Sequence, residues 1–255
     1  MIKEEIKVVK RDGRVEPLDL DKLHEMVEEA CDGLAGVSAS QVEIQSHLSF
    51  YDGITTNDIQ QTLIRSASDL ITLENPNYQY VAARLLLFSL RKSINGRRWE
   101  TCTLAEQIDY GIAEGVYDKY ILEYYTDEEL ETLNSYIDHD RDLKFTYAGL
   151  RQVYDKYLCQ DRSTGKIFET PQFMYMLIAA TIFHDYAPDV RLGFVKRYYD
   201  AVSKHLINIP TPIMAGVRTP IRQYASCVLV ETDDSLDSIF SSDMAIGYYT
   251  SQRAG

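Results

Sequence analysis

Two short extended pieces around Asp12-Gly13, followed by helical periodicity through most of the chain, point to a mainly α fold with one small β-ribbon. Asp-Gly tolerates the positive φ angles that a tight hairpin turn demands, so Ile6 to Leu18 is expected to fold back on itself. Leu23, Met26, Val27, Ala30 and Leu34 then share one helical face at steps of three and four. A second helix is expected from Ser38, which can cap it. Gln41 stands at the capping-box position, and Val37 with Val42 can form a hydrophobic staple. A third helix begins at Thr55 or Thr56, with Asp58 in its first turn and Ile59, Leu63, Ala67 and Leu70 facing inward. A fourth, rich in Tyr, Ala and Leu, runs from about Asn77 to Lys92. The polar stretch Ser93 to Trp99 reads as a turn and marks a domain boundary.

Residues 100–208 read as helical almost throughout. Thr126 and Glu129 have capping-box spacing, Phe173 to Phe183 reads as a buried helix, and Leu192, Val195, Tyr198, Tyr199 and Val202 make a further amphipathic face. The 19 tyrosines suit aromatic packing between helices better than a cofactor box. From Ile209 the character changes. Pro210, Pro212, Gly216 and Pro220 interrupt helices, and Tyr224 to Val230 reads as a buried strand. Within the stretch Arg222 to Ile239, Cys227 falls in this apolar run, after Ser226 and before an acidic turn. That arrangement would put a redox-capable thiol at a strand edge, near carboxylates able to bind a hydroxylated ligand.

The net charge of -13 disfavours non-specific binding to nucleic acid, because phosphate backbones reward clustered Lys and Arg. No run reaches the roughly eighteen apolar residues of a membrane helix. The start, Met1-Ile-Lys-Glu-Glu5, has no apolar h-region. Cys31, Cys102, Cys159 and Cys227 form no CxxC pair, which argues against a zinc ribbon and a disulfide scaffold. The expectation is a soluble cytoplasmic protein in a reducing compartment, with no metal, nucleic acid or membrane to bind.

A series of strings then carries a resemblance. They are Val9-Lys-Arg-Asp-Gly13, Leu20-Asp-Lys22, Asp52-Gly-Ile54, Tyr78-Gln-Tyr-Val-Ala-Ala-Arg84 and Ile137-Asp-His-Asp-Arg-Asp142. Pro210-Thr-Pro-Ile-Met214, Gly216-Val-Arg-Thr-Pro220, Ser226-Cys227, Asp234-Ser-Leu-Asp237 and Ser251-Gln-Arg-Ala-Gly255 follow. Each is weak alone; so many in order are specific. Together they resemble the large (alpha) subunit of class I, aerobic ribonucleotide reductase, in its N-terminal portion. The resemblance implies an ATP-cone over residues 1–95, a helical domain over 96–208, and the first strands of a ten-stranded α/β barrel over 209–255. It further implies that Val8, Lys10, Arg11, the loop Glu16, Pro17, Leu18, Asp19, Leu20, Asp21 and Lys22, and Thr56, Phe88 and Lys92 contact ATP or dATP at an activity site. The residues support this independently. Lys10, Arg11, Lys22 and Lys92 can converge on a triphosphate, and Thr56 at a helix start can donate to a phosphate oxygen. Members switched off by dATP commonly carry histidines where this chain has Gln60 and Ser89, so nucleotide contacts are expected with weakened or lost dATP inhibition.

By the same resemblance, Cys227 is one of two redox-active cysteines that reduce the ribose and end as a disulfide. Thr211, Ser226 and Cys227 match substrate contacts. Asp234, Ser235 and Leu236 match the start of the specificity site for a dNTP effector. Thiol oxidation needs a second sulfur within bonding reach. Cys31, Cys102 and Cys159, read as lying on helical segments of other domains, are poor candidates. The resemblance thus implies an incomplete or split large subunit, silent without the remaining C-terminal part. Its other expected partners are a small (beta) subunit with the radical-generating metal centre, a thioredoxin or glutaredoxin, and a ribonucleoside diphosphate substrate. A stand-alone nucleotide-sensing regulator is the alternative.

Overall fold

Gly13, at φ +84°, closes a hairpin in which β1 (Lys7–Val9) pairs antiparallel with β2 (Val15–Pro17). The computed structural model describes residues 6–47, 49–221 and 224–251. A third strand, β3 (Ile54–Thr55), joins the other side of β1 in parallel, giving the order β2-β1-β3. Two residues are too few to show alternation in a sequence, which is why the third strand reads only as the start of a helix. Val8 and Ile54 face each other in register, both buried. The chain divides into two units: Met1–Thr101 with Asp140–Asp155, and Cys102–His139 with Lys156–Gly255.

In the first unit α1 (Leu20–Cys31) is capped by the Asp19 side chain, which accepts from the Lys22 N–H. It buries Leu23, Val27 and Ala30 but ends before Leu34, because Gly33 at φ +69° turns the chain away. The box expected at α2 (Ala39–His47) is relayed through a tyrosine. The Ser38 N–H donates to the Tyr78 hydroxyl at 3.0 Å, and that hydroxyl donates to Gln41 Oε1 at 2.5 Å. Helix α3 (Thr56–Asp69) takes Thr55 as its cap, and α4 (Tyr78–Asn95) runs past Lys92 to a left-handed Gly96. Val27, Val42, Leu63, Ala67, Val81, Leu85 and Leu87 form a solvent-free core among these helices. Helix α8 (Tyr147–Lys156) brings the chain back to this unit, where Arg91 and Asp142 form a buried ion pair at 3.6 Å.

The second unit begins with α5 (Leu104–Ala113), α6 (Ile121–Tyr124) and α7 (Asp127–Tyr136). Both sides of the Thr126–Glu129 box are present, and an equivalent box joins Thr103 and Glu106. After the β4 (Gln160–Asp161) and β5 (Lys166–Ile167) hairpin come α9 (Pro171–Ile182), α10 (Pro188–Ser203), α11 (Thr211–Gly216) and α12 (Leu236–Ser251). Helix α9 is buried on every side, so its hydrophobicity runs all round, as a core helix requires. Tyrosines reach polar partners from within the core: Tyr125 donates to the Ala180 carbonyl at 2.8 Å and Tyr199 to Gln172 at 2.6 Å.

Gly111 of α5 has no room for a side chain. A Cβ there would sit 2.1 Å from the Tyr117 ring, which is fixed by hydrogen bonds to Gln107 and Glu169. Gly111→Ala is expected to destabilise the second unit by about 1–3 kcal/mol despite the better helix propensity of alanine. Chemical denaturation showing no loss would refute this reading.

One expectation is overturned. Residues 224–230 form no strand, Tyr224 and Leu229 are exposed, and the described residues contain no barrel strand. An apolar run becomes a strand only where a neighbouring strand accepts its backbone hydrogen bonds, and no such neighbour lies among the described residues. Arg222, Gln223 and residues 252–255, including the end of the Ser251–Gly255 string, lie outside them.

Candidate functional site

The sheet order brings together what the sequence separates. β1 and β3 run parallel, so Lys10 and Arg11 leave the sheet at the end from which α3 starts. Thr55 caps α3, accepting from the Asp58 N–H at 3.0 Å and donating to the Asp58 carboxylate at 2.7 Å. Thr56, the expected phosphate donor, is the first residue inside the helix. A helix start of this kind presents backbone N–H groups and the positive end of the helix dipole. Lys92 keeps an exposed surface overall, yet partial desolvation pulls its ammonium below the usual lysine value, and Arg11, Lys10 and Arg98 push it the same way. Crowded like charges raise the local positive potential, which suits this surface to a polyanion.

Carboxylates moderate the crowding. Lys10 pairs with Glu16 of β2 at 3.2 Å, and Arg14 with the same carboxylate at 2.9 Å. Pro17, Leu18, Asp19, Leu20, Asp21 and Lys22 leave from the other end of β1, since Pro17 pairs with Lys7 and the Leu18 N–H reaches the Ile6 carbonyl. There Lys22 pairs with Asp19 at 2.9 Å. Phe88 is buried on α4, one turn before Lys92, with the exposed Trp99 ring edge-on at 5.2 Å. Val8 is a core residue of β1. Gln60 donates its amide to the Leu85 carbonyl at 2.8 Å, so it is spent on holding α3 to α4. Of the two helix starts the sequence offers, Thr55 is the cap, as its Thr-x-x-Asp spacing signals. Arg98 was not singled out, and nothing local signals it.

Residues 6–93 match the model of the ATP cone domain, and residues 143–222 match that of the ribonucleotide reductase all-alpha domain. The chain is 52% identical over 248 residues to ribonucleoside-diphosphate reductase 1 subunit alpha of Escherichia coli, which covers 97% of this chain and 32% of that protein. It is 50% identical over 248 residues to the Haemophilus influenzae alpha subunit, covering 97% of this chain and 33% of the relative. With the alpha subunit of Enterobacteria phage T4 it shares 43% identity over 252 residues, 98% of this chain and 33% of the relative. The chain belongs to the class I ribonucleotide reductase large-subunit family, in its N-terminal portion. It spans about a third of the length of these relatives. An ATP cone in this family implies allosteric binding of ATP or dATP.

The reductase segment of the second unit has a cavity of about 610 Å³ lined by Lys156, Tyr157, Cys159, Arg162, Thr211 and Thr219, among others. Thr211 is exposed at the first position of α11, its hydroxyl 3.2 Å from that of Tyr157. Beneath it Arg218 is buried against Glu169 and also donates to the Met214 and Tyr157 carbonyls at 2.6 and 2.8 Å. Glu169 further accepts from the Tyr117 hydroxyl at 2.7 Å and the Cys159 N–H at 2.7 Å. Burial, with the Glu169 charge beside it, holds the Tyr117 hydroxyl firmly protonated.

Ser226 and Cys227 are exposed, in a segment without regular structure, and do not line this cavity. Asp234 is exposed, Ser235 accepts from the Ser238 N–H at 3.2 Å, and Leu236 opens α12 with its side chain in solvent. Cys31 ends α1, but Cys102 and Cys159 lie between elements, not on helices as expected. Burial pushes the Cys31 thiol up to about 11 and raises the Cys102 thiol too, so neither readily supplies a thiolate. Among the described residues no cluster of His, Cys, Asp and Glu could hold a metal ion, and no helix is long and apolar enough to cross a membrane.

Proposed function

We propose that this chain is the regulatory N-terminal part of a cytoplasmic ribonucleoside-diphosphate reductase large subunit, and that residues 1–95 bind ATP or dATP. The observation that carries the reading is the meeting of Lys10, Arg11 and Lys92 beside the start of α3, inside the segment that matches an ATP cone. The triphosphate takes the cations and the helix start, while Phe88 and the Glu16-to-Lys22 loop border the nucleoside. Residues 96–208 form the helical domain that precedes the barrel. Thr211 and Ser226 bind the substrate diphosphate or ribose, and Asp234 to Leu236 open the specificity site for a dNTP.

Cys227 is half of the dithiol that supplies two electrons for 2′-reduction of a ribonucleoside diphosphate. As the disulfide forms with a second cysteine, the two electrons and two thiol protons pass to the substrate, whose 2′-hydroxyl leaves as water while C2′ gains a hydrogen. That cysteine and the radical-bearing one are supplied by the remaining part of the large subunit, the radical by a metal-containing small subunit, and fresh electrons by a thioredoxin or glutaredoxin. Gln60, committed to the Leu85 carbonyl, supports a cone in which nucleotide binds but dATP inhibits weakly.

The test is reconstitution. The chain, a polypeptide with the remaining barrel and a small subunit should reduce CDP only when mixed, and Cys227→Ser should abolish turnover. Activity should persist as dATP is titrated in. Turnover unaffected by Cys227→Ser would sink the catalytic assignment; shutdown at low dATP would sink the regulatory one.

A further inference from the structure

A fourth cation stands at the cluster, and the family pattern does not account for it. Arg98 follows α4, and its Nε lies 2.8 Å from a Glu29 carboxylate oxygen of α1. Both atoms are shielded from solvent, and at 2.8 Å their contact is bent well away from a linear hydrogen bond. An ion pair without a directional bond recovers little of the desolvation it costs, so it is easily exchanged for a better anion. Desolvation raises the Glu29 pKa even with Arg98 beside it, and Arg98 adds to the repulsion felt by Lys92. The guanidinium also lies 5.9 Å from the centre of the Trp99 ring, which is half-exposed and packs on Phe88.

We propose that Arg98 is an additional triphosphate-binding residue of the cone, and that Glu29 holds it as an internal stand-in for phosphate, giving way when nucleotide binds. The inference rests on the cone reading above and deepens it. A phosphate offers more acceptor oxygens and more charge than one carboxylate, and a guanidinium fork can meet two of those oxygens at once. Glu29 thereby sets how tightly the site binds: it occupies Arg98 and must be displaced.

Trp99 is the chain's single tryptophan, so its fluorescence reports on this site alone. The chain is titrated with ATP and, separately, with inorganic tripolyphosphate. Glu29→Gln is expected to tighten both about fivefold, and Arg98→Gln to weaken both about tenfold. The double variant should match Arg98→Gln alone, because Glu29 acts through Arg98. Unchanged or weaker binding by Glu29→Gln would overturn the proposal, as would unchanged binding by Arg98→Gln. A gain of affinity cannot come from misfolding, so the Glu29 variant guards against that explanation of the Arg98 loss. If the unaltered chain binds no ATP by calorimetry, the cone reading itself falls; if it binds and the variants match it, only this inference falls.

Discussion

Arg218→Met is expected to cost the second unit about 3–5 kcal/mol, measured as a shift in its urea denaturation midpoint at unchanged slope. The arginine and Glu169 are both buried, so removing the guanidinium leaves a carboxylate with no counter-charge in a dry interior. The loss also frees the Met214 and Tyr157 carbonyls, which Arg218 ties together and which fix α11 beneath Thr211. The double variant Arg218→Met with Glu169→Met should recover part of the loss, since no orphan charge remains. Recovery cannot be complete, because Tyr117 and the Cys159 N–H then lose their acceptor. A single-variant loss below about 1 kcal/mol would mean that water reaches the carboxylate.

How legible this arrangement was in the sequence depends on whether its causes are local. Gly13 had to take positive φ, Thr126 and Glu129 had to meet across one turn, and the apolar run after Pro171 had to sit in a core; each follows from neighbours in sequence. The relay from Ser38 through Tyr78 to Gln41 has its bridging hydroxyl 37 residues from Gln41, so only the folded packing of α2 against α4 shows it. The Arg218–Glu169 pair, 49 residues apart, is hidden for the same reason. The Tyr224–Val230 segment failed for a different one. Its composition is that of a strand, but a strand is a relation between two segments, and the second is not among the described residues. At the cation cluster the parallel pairing of β1 with β3 decides the geometry. A two-residue strand leaves no periodic trace, so spacing could not show that Lys10 and Arg11 leave the sheet where α3 begins while the loop to Lys22 leaves from the other end.

That cluster yields the second large effect. Replacing Lys10 and Lys92 together with methionine is expected to weaken ATP binding by about a hundred- to ten-thousandfold, since each charge-assisted contact is worth roughly 1.5–3 kcal/mol and every 1.4 kcal/mol is tenfold. Calorimetric titration of the chain with ATP measures it. Stability should move in the opposite direction. Lys92 has a lowered pKa in the fold, first through desolvation and then through Arg11, Lys10 and Arg98, so its charged form is disfavoured there relative to the unfolded chain. Between that lowered value and the ordinary 10.5 the unfolded state holds the extra proton, so stability of the unaltered chain rises with pH across this window. Lys92→Met removes both the penalty below the window and the rise within it, leaving a more stable protein with a flatter alkaline profile. The Lys10–Glu16 pair is half-exposed and gives up little in exchange. Variants that bound ATP poorly because they were misfolded would be less stable, not more. A charge cluster that costs the fold stability is one that a bound polyanion would relieve, and a double variant that is both less stable and as tight a binder as the parent would contradict that assignment.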